Sequence, residues 1–483
     1  MNLLRFFLLL GTLPLALCRL IIYPHATGAP RSDKFRVFLT RNLLTEESFV
    51  YMTSSDHRVK ESTSAYPGRT VSWTSFAFDY APVTVTVHTL RDFRTCTVLP
   101  SRYRIACRSQ ISLGFATFGV GANRTTMSVE FDNDQTGPDK DVTDKLFIFA
   151  DAPESNVPSK DDRSVLYYDV GMHDLNGQLA IPEGVKEVYL APGAYVEGGF
   201  ITTSSHPVTI HGRGVLDARN YTWHDDRFRM AMITMLEGSN HTVEGITLSD
   251  PTQFFLHALS DYVTISNVKT LGAWVYNNDG FTLGFGGVIT DSFVHANDDS
   301  IKLYSSNVTV TRCVIWQAQN GAVFQFGWWP TRTVHFIQVS YVDVIHVDWC
   351  TFRGDNCDGI SDNDAVFDLA GNTTLFNSSY MTFTEIHVEG YCPRIFNFRF
   401  PDEAKGVFAD VTFQNLQIDS QYNPNRLIYN VIAGSGKAGR VENWGFLNFV
   451  ISERCVSDPS KSNFLIGNGS TSNIFFECPE KYQ

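Results

Sequence analysis

Residues 276–304 read YNNDGFTLGFGGVITDSFVHANDDSIKLY, and the spacing inside them decides how the rest of the chain is read. Asp279 stands nineteen and twenty residues ahead of the adjacent pair Asp298 and Asp299. Between them, short apolar β-type runs at 281–283, 288–289 and 293–294 alternate with Gly, Asn and Asp, the pattern of strands joined by tight turns. Weak copies of the same unit flank them. Val243-Glu-Gly-Ile246, Ile265-Ser-Asn-Val268, Ile289-Thr-Asp-Ser-Phe293, Val310-Thr-Arg-Cys-Val314 and Val347-Asp-Trp-Cys-Thr-Phe352 follow one another at offsets of 22, 24, 21 and 37 residues, with a longer loop inside the last. Further coils are read at 381–388 and 411–418. No helix-period stretch of ten or more residues separates these strands, which argues against βαβ units. Short strands recurring without helices predict a right-handed parallel β-helix, in which each coil buries inward-pointing Val, Ile and Phe against its neighbours. A propeller would repeat at a longer period.

The texture before residue 160 is different. Runs at 35–39, 71–78, 83–88, 95–99 and 146–150 are β-prone, and Val83-Thr84-Val85-Thr86-Val87 alternates with the period of a half-buried strand. We expect a small all-antiparallel β-sandwich over residues 19–160, with Asp-rich stretches at 132–144 and 151–162 as loop and linker, followed by the β-helix over 161–483. Residues 1–18, MNLLRFFLLLGTLPLALC, combine one Arg, an apolar run too short to span a bilayer and small residues, which predicts a cleaved signal and a secreted, extracellular protein. No later apolar run is long enough for a membrane span. Nine cysteines are present, and removing Cys18 leaves an even number, as oxidising compartments favour. Cys96 with Cys107 and Cys455 with Cys478 make plausible staples, while pairing among Cys313, Cys350, Cys357 and Cys392 stays open. The spacings do not make a zinc site. Sequons at Asn123, Asn220, Asn240, Asn307, Asn372, Asn377 and Asn468 predict surface glycosylation.

The formal charge of −13 disfavours nucleic acid as a partner and, more weakly, acidic polysaccharides. Most of the 8 Trp, 19 Tyr and 37 Phe belong to the core, but some can stack on sugars. In a β-helix one coil returns the chain to the same azimuth about 4.8 Å away, so Asp279 should lie beside Asp298 and Asp299. Three carboxylates that close raise at least one pKa and leave a proton donor beside ionised neighbours. Glycoside hydrolysis needs that asymmetry: one acid protonates the departing oxygen while another activates water, about 6.5 to 9.5 Å away in an inverting enzyme. Asn and Asp also cap turns, and clustered carboxylates also suit calcium. The one-coil spacing, nearby Lys302 and the neighbouring aromatics favour catalysis without a metal or other cofactor. Lys302 is expected to meet a substrate hydroxyl or Asp299. Trp274, Tyr276, Tyr304, Trp316, Trp328 and Trp329 surround the acids in sequence, where exposed rings serve as sugar platforms and the others pack; Asp225 and Asp226, next to Trp223 and His224, belong either to a loop over the cleft or to a solvated loop.

The segment NNDG, twenty residues before NDDSIKLY, followed by Val323-Phe-Gln-Phe-Gly-Trp-Trp-Pro330 and Asp343-Val-Ile-His346, resembles glycoside hydrolase family 49, the dextranase and isopullulanase family. Upstream, Tyr189-Leu-Ala-Pro-Gly-Ala-Tyr-Val-Glu-Gly198 and His211-Gly-Arg-Gly-Val-Leu-Asp217 look like the opening coils of that fold and of its family 28 polygalacturonase relatives. The resemblance covers most of 165–355. It implies a sandwich followed by a β-helix, and inverting hydrolysis of a neutral α-glucan. In that scheme Asp298 is the general acid, Asp279 and Asp299 hold and activate the water, and Gln325 and His346 lie in the cleft. The Gly-His-Gly and Arg-Ile-Lys strings of family 28 are absent, and Gln325-Phe-Gly-Trp328 stands in place of the first. The expectation is a monomer acting on a polysaccharide. The rivals are a polygalacturonase-like hydrolase of pectin and a non-catalytic carbohydrate-binding β-helix protein.

Overall fold

The computed structural model describes residues 19–480 except 60, 62–66, 80, 122–124, 133–141, 329–332, 351–359, 370–376, 422–427 and 437. The expected signal, Asn123, Asn372, Trp329 and Cys357 therefore lie outside the described residues.

Two sheets form the N-terminal sandwich. Val83–Thr89 alternates buried and exposed as its sequence does, and Val83, Val85 and Val87 pack with Val37, Leu39, Phe76 and Ile148 between the sheets. One pairing departs from the all-antiparallel expectation: Asp144–Asp151 runs parallel to Thr70–Phe78. Alternation reports which face a side chain takes, not the direction of the strand, so the sequence pattern could not reveal it. Both strands are buried almost throughout. Their second face, with Trp73, Phe147 and Phe149, packs on Tyr195, Leu271, Phe293, Val314 and Trp316 of the β-helix.

From Val165–Tyr168 onward the chain is a parallel β-helix with three faces. Along the first face Val243, Ile265, Ile289 and Val310 stack in direct register, as the first three sequence offsets require. The fourth offset is corrected: Val310 pairs with Val339, and Val347 pairs with Gln317 on the second face. Val334–Val347 is one 14-residue strand that turns from the first face to the second. The same apolar-polar rhythm occurs on both, which made the later segment look like the repeat.

Left-handed residues mark both ends of the first face. Asn240, Tyr262, Gly286, Asn307, Phe336, Tyr380, Asp410 and Asn443 open it, and Gly245, Asn267, Asp291, Arg312, Tyr341, Glu385, Asn415 and Asn448 close it, five residues later in each of these eight coils. Asn, Asp and Gly tolerate this conformation best. Their side chains also join successive coils: Asn448 donates to Asn415 at 2.8 Å and Asn415 to Glu385 at 2.5 Å, while Asn473 donates to Asn443 and Asn443 to Asp410, each at 3.0 Å. The return from a closing corner to the next opening corner varies from 16 residues (291 to 307) to 39 (341 to 380).

On the third face the strands Phe281–Thr282, Ile301–Lys302, Phe324–Gln325, Phe367–Leu369 and Phe396–Arg399 stack in register. Phe281, Ile301, Phe324, Phe367 and Phe396 point into the core, where the last three rings stack at 5.4 and 5.0 Å. Thr282, Lys302, Gln325, Asp368 and Asn397 alternate with them and form a polar row on the opposite side.

The disulfides Cys96–Cys107 and Cys455–Cys478 form as expected, and Cys350 is disulfide-bonded. Cys313 and Cys392 are free and buried. Among the described residues no helix is long and apolar enough to cross a membrane. Asn220, Asn240, Asn307, Asn377 and Asn468 are all exposed.

Candidate active site

Asp279, Asp298 and Asp299 meet in the turns that enter the third face, with carboxylate oxygens within 4.8 Å of one another. Parallel register brings them together: Phe281–Thr282 pairs with Ile301–Lys302, so the turns preceding these strands stack as well. Gly321 lies directly beneath, in the left-handed region, and a Cβ there would collide with the Asp298–Asp299 backbone. Gln317 steadies the same turn by donating to the Asp298 carbonyl at 2.9 Å.

Asp279 and Asp299 are 2% and 1% exposed, whereas Asp298 is partly exposed and can reach a bound molecule. Asp298 accepts the N–H groups of Asn277 at 2.9 Å and Asp299 at 3.0 Å. Burial, then the Asp299 charge, nevertheless pushes the Asp298 carboxyl up to about 7. Burial and the two neighbouring carboxylates likewise hold Asp279 well above the usual range, against the pull of Lys302. Asp299 accepts from the Ala322 N–H at 3.1 Å, Trp328 Nε1 at 3.0 Å and Lys302 Nζ at 2.5 Å, a set of donors that suits a carboxylate.

Lys302 Nζ lies 2.5 Å from both Asp279 and Asp299, with the Phe254 and Tyr304 ring centroids at 5.0 and 5.6 Å. The two carboxylates hold its ammonium charged, its pKa well above the usual lysine value. A divalent cation among the three acids would compete with this internal cation. A second group, Asp343, His387 and Glu389, also brings ligand atoms within 4.8 Å. Arg102 already lies 2.6 Å from Asp343, and the Ser101 N–H bonds Glu389 at 2.8 Å, so the sandwich occupies that group.

No family model matches the chain. In sequence it is 30% identical over 260 residues to a dextranase of Arthrobacter sp. (strain CB-8), covering 47% of this chain and 40% of that protein. It is 26% identical over 351 residues to an isopullulanase of Aspergillus niger, covering 62% of each. The aligned part is thus less than two thirds of either relative. The chain is homologous to dextranases and isopullulanase. The structure of Dex49A from Penicillium minioluteum shares the fold, at a TM-score of 0.74 and 19% identity over 93% of this chain and 95% of that one.

The other expected residues divide into three groups. Lys302, Tyr304 and Trp328 stand at the acids, but Trp328 donates to Asp299 in addition to offering a ring. Gln325 stacks beneath Lys302 and is buried, with both ends of its amide engaged: its nitrogen donates to Asp368 at 2.7 Å and its oxygen accepts from Gly327 at 2.9 Å. Trp274 and His346 are corrected. Both belong to the contact with the sandwich, where Trp274 Nε1 bonds Asp250 at 2.8 Å and His346 stacks on Trp316 and bonds Glu130 at 2.9 Å. Sequence reasoning missed Asp368 and Asn397. They complete the polar row beside the acids, with Asn397 Nδ2 bonding Asp368 at 2.9 Å, and burial holds the Asp368 carboxyl well above the usual range. Only the coil register, 43 residues from Gln325 to Asp368, reveals them.

Proposed function

We propose that the protein is a secreted glycoside hydrolase that cleaves α-glucosidic bonds of a neutral, dextran- or pullulan-like polysaccharide with inversion, using Asp298 as general acid. The carrying observation is the trio of carboxylates around Lys302, in which the partly exposed Asp298 keeps its proton to about pH 7. The dextranase and isopullulanase relatives support the substrate class. Disulfides and exposed sequons support secretion and glycosylation.

The oxygens lie closer together than the roughly 6.5 to 9.5 Å usual for inverting pairs, so separation alone does not support inversion. Atom occupancy does. Both oxygens of Asp299 already accept donors, which disfavours Asp299 as a nucleophile that bonds to sugar. Asp279 Oδ1 is buried without a hydrogen-bond partner, and suits a water that attacks the anomeric carbon. In this scheme Asp298 gives its proton to the departing oxygen, Asp279 and Asp299 hold the attacking water and take its proton, and Lys302 balances the charge throughout.

The test is incubation of the purified protein with dextran, pullulan, starch and polygalacturonate, with product anomers followed by proton resonance. Release of β-configured ends from an α-glucan is expected. Activity on polygalacturonate alone would reject the substrate class, and α-configured first products would reject inversion. Asp298→Asn should lower kcat by at least about a thousandfold while leaving binding intact. Unchanged turnover would remove Asp298 from its role and favour a non-catalytic protein.

A further inference from the structure

Three successive coils supply a wall beside the acids that the catalytic reading leaves unexplained. Its parts are Trp223 and His224 in the turn after Val215–Asp217, Gln253 just before Phe254–Ala258, and Tyr276 and Asn277 in the turn before Phe281–Thr282. The His224 ring is bonded on both sides, to Gln253 Nε2 at 3.0 Å and to Asn277 Oδ1 at 3.1 Å. Trp223 stands edge-on to it at 4.4 Å and donates from Nε1 to the Tyr276 carbonyl at 3.1 Å. Tyr276 is 41% exposed. The wall is continuous with the chemistry, because Asn277, held in the left-handed region, points its N–H at Asp298.

The other side of the wall rests on the sandwich domain. Glu61 accepts the Trp223 N–H at 2.9 Å and the Arg58 guanidinium at 2.8 Å. Arg58 is 1% exposed and donates in turn to the carbonyls of Tyr221 at 2.7 Å and Asp250 at 3.1 Å. A residue from the first domain thus fixes Trp223, two coils before the turn that carries Asp279.

The chemistry of the wall is specific. Carboxamides both donate and accept, as vicinal hydroxyls do, and an exposed phenol ring offers a face to the C–H side of a pyranose. We propose that His224, Gln253, Tyr276 and Asn277 form a subsite for one uncharged glucosyl unit next to the cleaved bond, held in shape by Glu61 and Arg58. This rests on the α-glucan reading above. It adds a specificity role to the sandwich domain.

The experiment measures kcat/KM on α-linked gluco-oligosaccharides of graded length. In the wild type one added unit should raise kcat/KM by about tenfold as the subsite fills. Tyr276→Ala and Gln253→Ala should each cut that step to about twofold or less, so that the ratio of long to short substrate falls. Glu61→Ala should shrink the same step, whereas Glu61→Gln, which keeps an acceptor for the Trp223 N–H, should preserve it. A ratio unchanged in both Tyr276→Ala and Gln253→Ala, or the absence of any length step in the wild type, overturns the subsite while the α-glucan reading stands. A step intact in Glu61→Ala overturns the part given to the sandwich. A wild type that cleaves no α-gluco-oligosaccharide and does cleave oligogalacturonate overturns both.

Discussion

At the scale of single residues, Asp298 draws opposite demands from its surroundings: two backbone donors favour its charged form while burial and Asp299 oppose it, and the opposition prevails. The sign for catalysis follows. The acid must be protonated, so kcat/KM should hold on the acidic side and fall about tenfold per pH unit above roughly pH 7, read from a pH–rate profile. Trp328→Phe removes the indole donor from Asp299 while keeping a ring. A hydrogen bond to a charged group contributes about 1.5–3 kcal/mol, so kcat should drop about ten- to a hundredfold with little change in melting temperature. The three acids were legible in the sequence because parallel register turns a one-coil offset into spatial contact. Trp328 was read as a sugar platform, and its donor role was hidden, since it depends on how the turn after Phe324–Gln325 folds back.

At the scale of the element, the corner residues contribute as much as the strands. Asn415→Gly keeps the backbone permissive and loses only the carboxamide ladder, whereas Asn415→Val loses both. The first should cost about 1 kcal/mol and the second about 2–3 kcal/mol, measured by denaturant unfolding. The strands themselves were readable from apolar periodicity. The corners were not, because Tyr262, Arg312, Phe336, Tyr341, Tyr380 and Glu385 stand where Asn or Gly signals a left-handed turn. The later Val347 segment passed for the repeat that Val339 completes because both faces carry the same apolar-polar rhythm.

At the scale of the molecule, the sandwich and the β-helix are joined by a buried apolar contact and by charges set within it. His346 lies between Glu130 and Asp348, and these partners push its imidazolium up to about 10 against the effect of burial. A pKa raised in the folded state stabilises fully below the unfolded value of about 6.5 and is lost as pH rises through about 10. Glu130→Gln should therefore lower stability by about 3–5 kcal/mol near pH 6, with the gap to wild type closing toward pH 10, followed by thermal melts across that range. The family resemblance put His346 in the cleft, and only the docking of the sandwich on that face, where it meets Glu130, gives it a different place.

The constant five-residue rung between paired corners has a further consequence. Across the eight coils from Asn240 to Asn448 the changes of coil length fall in the return leg, which passes the acids, so insertions accumulate on the front of the molecule while its back edge keeps a fixed gauge. The front can be rewritten segment by segment without re-registering the frame. Exchange of whole return legs, spliced at a closing corner and at the next opening corner, is the natural unit by which such a scaffold acquires a new sugar preference.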